Sequence, residues 1–143
     1  MNRFYILICI LVLTSCEQHK GSDTNDKLRV NKVCDDFMLL FKNENYSKAL
    51  EILKENSVLA KETIDSLLPT ISKQMENFIP AYGKAIGWEF ISEGKIKDVL
   101  SKRLYILKFK KYYLKFFFIL YNNGQNWAIT HFKYDDDLTD VLN

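Results

Sequence analysis

A chain of 143 residues with 48% hydrophobic and 27% charged side chains is long enough for one packed core, and this composition excludes disorder or low complexity as a description of the whole. Lys and Arg number 20 against 18 Asp and Glu, a formal charge of +2. That balance speaks against nucleic acid as a partner, because a phosphate backbone selects a clustered basic face.

Met1-Asn2-Arg3 supplies a short positive start, and Phe4 to Leu13 is an unbroken apolar run of ten residues. A spanning helix needs roughly 20 residues, so residues 1–15 read as a secretory leader that is removed rather than as a membrane span. The leader ends in Leu13-Thr14-Ser15-Cys16, an aliphatic residue and two small ones before a cysteine, which resembles the lipobox of bacterial lipoproteins. The resemblance implies that Cys16 becomes the first residue and carries diacylglycerol and palmitate-like chains. Several acyl chains hold a protein on a membrane far more firmly than one. Glu17 rather than Asp after the cysteine makes the outer membrane, facing the periplasm, the default location within the cell envelope. The competing reading is a secreted protein with a chance Cys behind its leader. Residues 16–26 hold hardly any apolar side chain after Cys16 and are expected to be a flexible tether, with a single domain over residues 27–143.

From Lys27 to Lys42, Val30, Val33, Cys34, Phe37, Leu40 and Phe41 recur at spacings of three and four, the signature of one apolar helix face. Lys32, Asp35 and Asp36 fall on its wet side. A second helix is predicted over Tyr46 to Lys54, with Ala49, Leu50 and Leu53 inward. Asn56-Ser57 breaks it, and Ser57 is placed to cap the next helix. Helical pattern then continues to about Ala85, with Pro69 and Pro80 expected to interrupt it and Gly83 and Gly87 to end it.

Beyond Gly87 the sequence turns to aromatic and β-branched residues, and strands are predicted near Trp88–Lys95, Arg103–Phe109, Tyr112–Tyr121 and Trp127–Tyr134. Asn122-Asn123-Gly124 suits a tight hairpin between the last two. Helices first and strands second give an α+β class, N-terminal helices packed on an antiparallel sheet of about four strands. A short "Tyr-x-x-Ala" helix at Tyr46 and Ala49, a helix ending in Gly, and a closing Gly124-Gln-Asn-Trp127-Ala-Ile129 strand together resemble small lipoproteins of the nuclear-transport-factor-2-like (cystatin-like) superfamily. That resemblance, over Lys27 to Tyr134, implies a cone-like fold with a curved sheet around the helices. It implies no single activity, since the superfamily hosts enzymes, binding modules and structural partners.

Strand alternation puts His131 on one face with Trp127 and Ile129 and so toward a cavity, where Tyr82, Trp88, Tyr105 and Trp127 are the other candidate lining residues. Enzymes of the superfamily use an Asp or His base beside a Tyr or second acid, so the resemblance implies His131 with Tyr82 or Tyr105. The competing reading is a strand histidine satisfied by a neighbour, because no paired acid can be located. Cys34 on the first helix reads as core, without an intramolecular disulfide partner once Cys9 is removed and Cys16 acylated. Asp135-Asp136-Asp137 with Asp140 lacks the central Gly and final Glu of a calcium loop, and is expected to solvate the strand end, with Asp137 capping a helix over Leu138–Leu142. Neither metal nor cofactor is expected. Lys108, Lys110, Lys111 and Lys115 among aromatics read as a solvated hairpin end, with a lipid headgroup surface as the alternative.

Tyr112 to Tyr121 is apolar on both faces: Leu114, Phe116, Phe118 and Leu120 on one, Phe117, Ile119 and Tyr121 on the other. The helices can cover one. The second face is expected to be a homodimer or protein-partner surface, unless a terminal segment folds across it. The leading functional expectation is therefore a non-catalytic binding or interaction module tethered to the envelope. The alternative is a small cavity enzyme of the isomerase or dehydratase type that uses His131.

Overall fold

The computed structural model describes residues 20–139 and 141, with side chains from residue 24 onward. The leader, Cys16, His19 and Asp140 lie outside the described residues. Three helices, α1 (Lys20–Lys42), α2 (Tyr46–Asn56) and α3 (Lys61–Tyr82), precede four strands, β1 (Ala85–Ile96), β2 (Leu100–Phe109), β3 (Tyr113–Asn122) and β4 (Trp127–Asp135). The strands form one antiparallel sheet in the order β1-β2-β3-β4. Helices on one face of this curved, open sheet make the cone-like α+β architecture that the sequence implies.

Of the predicted stripe α1 buries Val30, Cys34, Phe37 and Phe41 and leaves Val33 and Leu40 half-buried, with Met38 added to the core. It begins seven residues earlier than the predicted boundary, so residues 20–26 are helical where a tether was expected. The reason is tertiary: Asp26 accepts from the Trp127 backbone N–H and pairs with Arg29, and Lys27 pairs with Glu93. Once these contacts fix a turn, adding helical residues to it no longer carries the cost of nucleation. Asn45 caps α2 by accepting from the Lys48 N–H at 3.4 Å, and Ala49, Leu50 and Leu53 face inward.

Two expectations for α3 fail. α3 runs unbroken through Pro69 and Pro80. Pro69 lies on the exposed side, where a carbonyl that loses its N–H partner meets water. Ser66 and Thr70 hydroxyls donate to carbonyls of the same stretch at 2.7 and 3.5 Å. Ser57 does not cap α3, whose first residue follows Ala60; it bridges to Ile129, and Val58 N–H donates to Ile129 O at 3.0 Å. Gly83 ends α3 at φ +86°, and a Cβ there would come within 2.9 Å of Lys110 Cβ.

The inner sheet face carries Arg103, Tyr105, Leu107 and Phe109 from β2 and Leu114, Phe116, Phe118 and Leu120 from β3. Phe37 packs edge-on against Phe118 and Phe132 at 5.4 and 4.9 Å, and Phe41 against Phe116 at 4.9 Å. Each such ring pair adds about 0.5–1.5 kcal/mol to what burial supplies. At the far end Phe78 and Tyr82 of α3 close over Phe109 and Tyr112.

β4 holds the main departure from simple alternation. The register with β3 shifts between Leu120↔Ile129 and Ile119↔His131, so Thr130 is an extra residue. This β-bulge turns every later side chain over. Trp127 and Ile129 face the helices before it, and Phe132 and Tyr134 face them after it. His131 lies on the outer face, exposed, with its Nδ1 3.2 Å from Thr130 Oγ1.

After β4 the chain turns onto that outer face. Tyr112 and Tyr113 hydroxyls donate to the Asp136 carboxylate and carbonyl at 3.1 and 3.3 Å. Asp137 accepts from Thr139 N–H at 2.9 Å, but among the described residues only a turn follows, with Val141 N–H on Leu138 O, where a helix was expected. This tail helps bury Lys115, whose side chain is 3% exposed beside Asp135 at 3.1 Å.

Candidate functional site

The polar groups that the fold gathers lie where α1 crosses the edge formed by β1 and β2. Period-two alternation lines up Ser101, Arg103 and Tyr105 on the inner face of β2, and register sets Glu93 opposite Arg103 and Phe90 opposite Tyr105. α1 lays Lys27 and Asp35 over them. Tyr105 Oη donates to Asp35 Oδ1 at 2.6 Å and accepts from Arg103 Nε at 2.8 Å, while Arg103 Nη2 stands 3.3 Å from the same carboxylate oxygen. The guanidinium stacks on Phe90 at 4.4 Å. Glu93 accepts from Lys27 and Ser101, with Lys95 at 3.8 Å and Arg103 at 3.9 Å.

The electrostatics follow from burial and pairing. Burial, reinforced by the Asp35 hydrogen bond, drives the Tyr105 phenol far above its ordinary range. Burial opposes the ionised form of Glu93, yet donation from Lys27 and Ser101 outweighs it and holds the carboxyl below 4.5. Burial pushes the Cys34 thiol up to about 12. A thiol held protonated is a poor nucleophile, and a carboxylate whose pKa is lowered is a weak base. Ser101, buried and already donating to Glu93, offers its oxygen no approach path. The network is a clasp that ties α1 to the sheet edge.

The candidate cavity residues are divided by the fold. Trp88 and Tyr105 meet at 5.8 Å beside the clasp. Trp127 is buried at the start of β4 with Lys27 Nζ 4.5 Å over its ring. Tyr82 is at the opposite end, 4.5 Å from both Phe78 and Tyr112. His131 is on the other side of the sheet, so the expectation that it looks inward is overturned by the bulge, and Tyr105 takes Asp35 and Arg103 as partners instead. Sequence reading missed Asp35, Arg103, Glu93 and Lys27. Periodicity places Asp35 on the wet side of its helix, and its side chain is 43% exposed. An Arg at an inward strand position was the one available signal.

The outer face holds Leu104, Phe117, Ile119 and Tyr121 together, as alternation requires. Beside them lies a cleft of about 440 Å³ between Lys102, Phe117, Lys133 and the tail residues Asp137 and Thr139, with Lys102 Nζ 4.8 Å over the Phe117 ring. Asp135, Asp136 and Asp137 are each engaged separately, with Lys115 and Lys133, with Tyr112, and with Thr139. Of the four lysines read as a solvated hairpin end, Lys110 and Lys111 are exposed at the β2–β3 turn, whereas Lys108 pairs with Glu89 and Lys115 is buried on the outer face. Among the described residues no group of three or more His, Cys, Asp and Glu side chains is placed to hold a metal ion, and no helix is long and apolar enough to cross a membrane.

Comparison with models of known protein families, with curated proteins and with solved structures finds no match to this chain.

Proposed function

We propose that the chain is a non-catalytic binding or interaction module, held on the bacterial envelope by lipid on Cys16, with the outer face of the sheet as its partner surface. The observation that carries this reading is the spending of the interior. Space that a cavity enzyme of this shape would leave for substrate is filled by Phe37, Phe41, Phe116, Phe118 and Tyr105, all buried, and the nearby polar groups are engaged with one another. What remains open is outside: Phe117 and Ile119 are half-buried and Tyr121 is exposed, next to a lysine-lined cleft. A sheet face of that kind, rimmed by charge, suits a second protein surface better than water. The C-terminal tail covers the Lys115 end and leaves the Ile119–Tyr121 end to a partner, either a second copy or another envelope protein.

The test places a photo-crosslinking residue at Tyr121 in the full chain in its own envelope, beside the same residue at Glu76 on α3. A discrete adduct formed from Tyr121, absent from Glu76 and abolished by Phe117→Lys, is expected. Fatty-acid label that disappears in Cys16→Ser checks the anchor. Equal label in both proteins, or no site-specific adduct, would overturn the corresponding half of the reading.

A further inference from the structure

The packing partners of α1 fix which end of the domain its start approaches. Phe41 meets Tyr134, Phe37 meets Phe132, and Asp26 with Lys27 meets Trp127, so α1 followed back toward Lys20 tracks β4 toward the turn at residues 123–126. On its other flank Asp35 meets Tyr105 and Lys27 meets Glu93, so the same walk tracks β1 and β2 toward their hairpin tip at residues 97–99. The two hairpin ends are joined: Asn122 N–H donates to Val99 O at 2.9 Å and Asn122 Nδ2 to Asp98 O at 3.0 Å. One end of the domain therefore gathers the start of α1 and both hairpins.

Only four residue steps separate Cys16 from Lys20, a reach of at most about 14 Å in any conformation. A lipid on Cys16 thus brings a membrane to this end and no other. Here the surface is apolar where a turn in water would be polar. Ile96 is 66% exposed and Val99 46%, flanked by Lys95 and Lys97, with Asp98 as the one acid of the tip. Aliphatic side chains set among lysines match the layer where acyl chains give way to phosphate headgroups. The opposite end also has an exposed aliphatic, Ile86, near Lys110 and Lys111, with Tyr112 stacked on Tyr82 at 4.5 Å, so it is the reach of Cys16 that selects the β1–β2 tip.

We infer, on the reading that Cys16 is lipidated, that the β1–β2 hairpin tip rests in the headgroup layer of the membrane that holds the lipid, with Ile96 and Val99 reaching the acyl boundary and Lys95 and Lys97 on anionic phosphates. The tether keeps the local concentration of membrane high, so a small apolar contact is enough to bias orientation. The domain then stands on this end, with the outer sheet face turned sideways toward partners in the plane of the membrane.

The test uses the full acylated chain in vesicles of phosphatidylethanolamine and phosphatidylglycerol doped with a spin-labelled lipid. A fluorophore is attached at Val99→Cys or, separately, at Lys110→Cys; Cys34 is buried and stays unlabelled. Quenching several-fold stronger at position 99 than at 110 is expected, falling toward the level of 110 when Ile96→Asp is added, with the thermal midpoint unchanged. Equal quenching at the two positions in protein whose mass shows acylated Cys16 overturns the inference and leaves the anchor standing. A mass showing bare Cys16 removes the anchor and the inference with it. Position 99 shielded by a crosslinkable second copy, and dark to lipid, also overturns it.

Discussion

Tyr105→Phe removes one oxygen from the centre of the clasp and leaves the ring packing among Trp88, Phe90 and Phe118 untouched. Two charge-assisted hydrogen bonds are lost, the 2.6 Å bond to Asp35 and the 2.8 Å bond from Arg103. Bonds to charged groups contribute about 1.5–3 kcal/mol each, which bounds the effect at about 6 kcal/mol. Two features reduce it. Asp35 is 43% exposed, so water replaces much of what its carboxylate loses. Arg103 keeps its 3.3 Å approach to Asp35 and its stacking on Phe90, but its side chain is 8% exposed and its Nε–H is left without an acceptor. A net loss of about 2–3 kcal/mol is expected, or roughly 8–12 °C in the thermal midpoint for a domain of this size. Equilibrium urea unfolding followed by tryptophan fluorescence measures it. The slope should stay constant, since the denatured surface is unchanged. A double-mutant cycle with Asp35→Ala should give strong coupling between the two positions. A Tyr105→Phe cost below about 0.5 kcal/mol, the size of an ordinary surface substitution, would refute the view that these groups hold α1 to the sheet.

Cys34, buried and with its thiol pushed up to about 12, should react with a thiol reagent only on the timescale of opening; fast labelling of the native protein would contradict the packing of α1. Glu93 is held below its ordinary 4.5, so its ion pairs stabilise the fold above that pH, and the contribution is lost as pH falls through the folded value. Melting temperature should therefore decline faster with acid in wild type than in Glu93→Gln, and backbone exchange should rise first in the N-terminal half of α1. Parallel decline in the two proteins would show that Glu93 carries none of the acid sensitivity.

The proposed activity and the clasp are connected through architecture. The aromatic centre of Phe37, Phe41, Phe116 and Phe118 backs the sheet that presents the outer face. α1 is both the strut under the sheet and the segment nearest Cys16. Pull on a lipid at Cys16 would be borne by the Lys27–Glu93 and Asp26–Trp127 contacts before it reached the aromatic centre.

The fold class and most of the elements are legible in local patterns of the chain. The three-and-four spacing of Val30, Cys34, Phe37 and Phe41 and the alternation of Leu114, Phe116, Phe118 and Leu120 are local periodicities, and side-chain period follows directly from helix and strand geometry. Cys34 in the core is legible from the same periodicity, and Gly83 at the end of α3 from the freedom of glycine at positive φ. The remaining features depend on partners distant in the chain. One extra residue at Thr130 reversed the facing of His131, and no local pattern marks a bulge whose position is set by pairing with β3. Helix at residues 20–26 required Trp127 and Glu93, and the fate of Ser57 required Ile129. The clasp combines residues up to 70 positions apart, Asp35 with Tyr105, so an acid that periodicity assigns to water becomes a hydrogen-bond acceptor only when the sheet edge arrives beneath it.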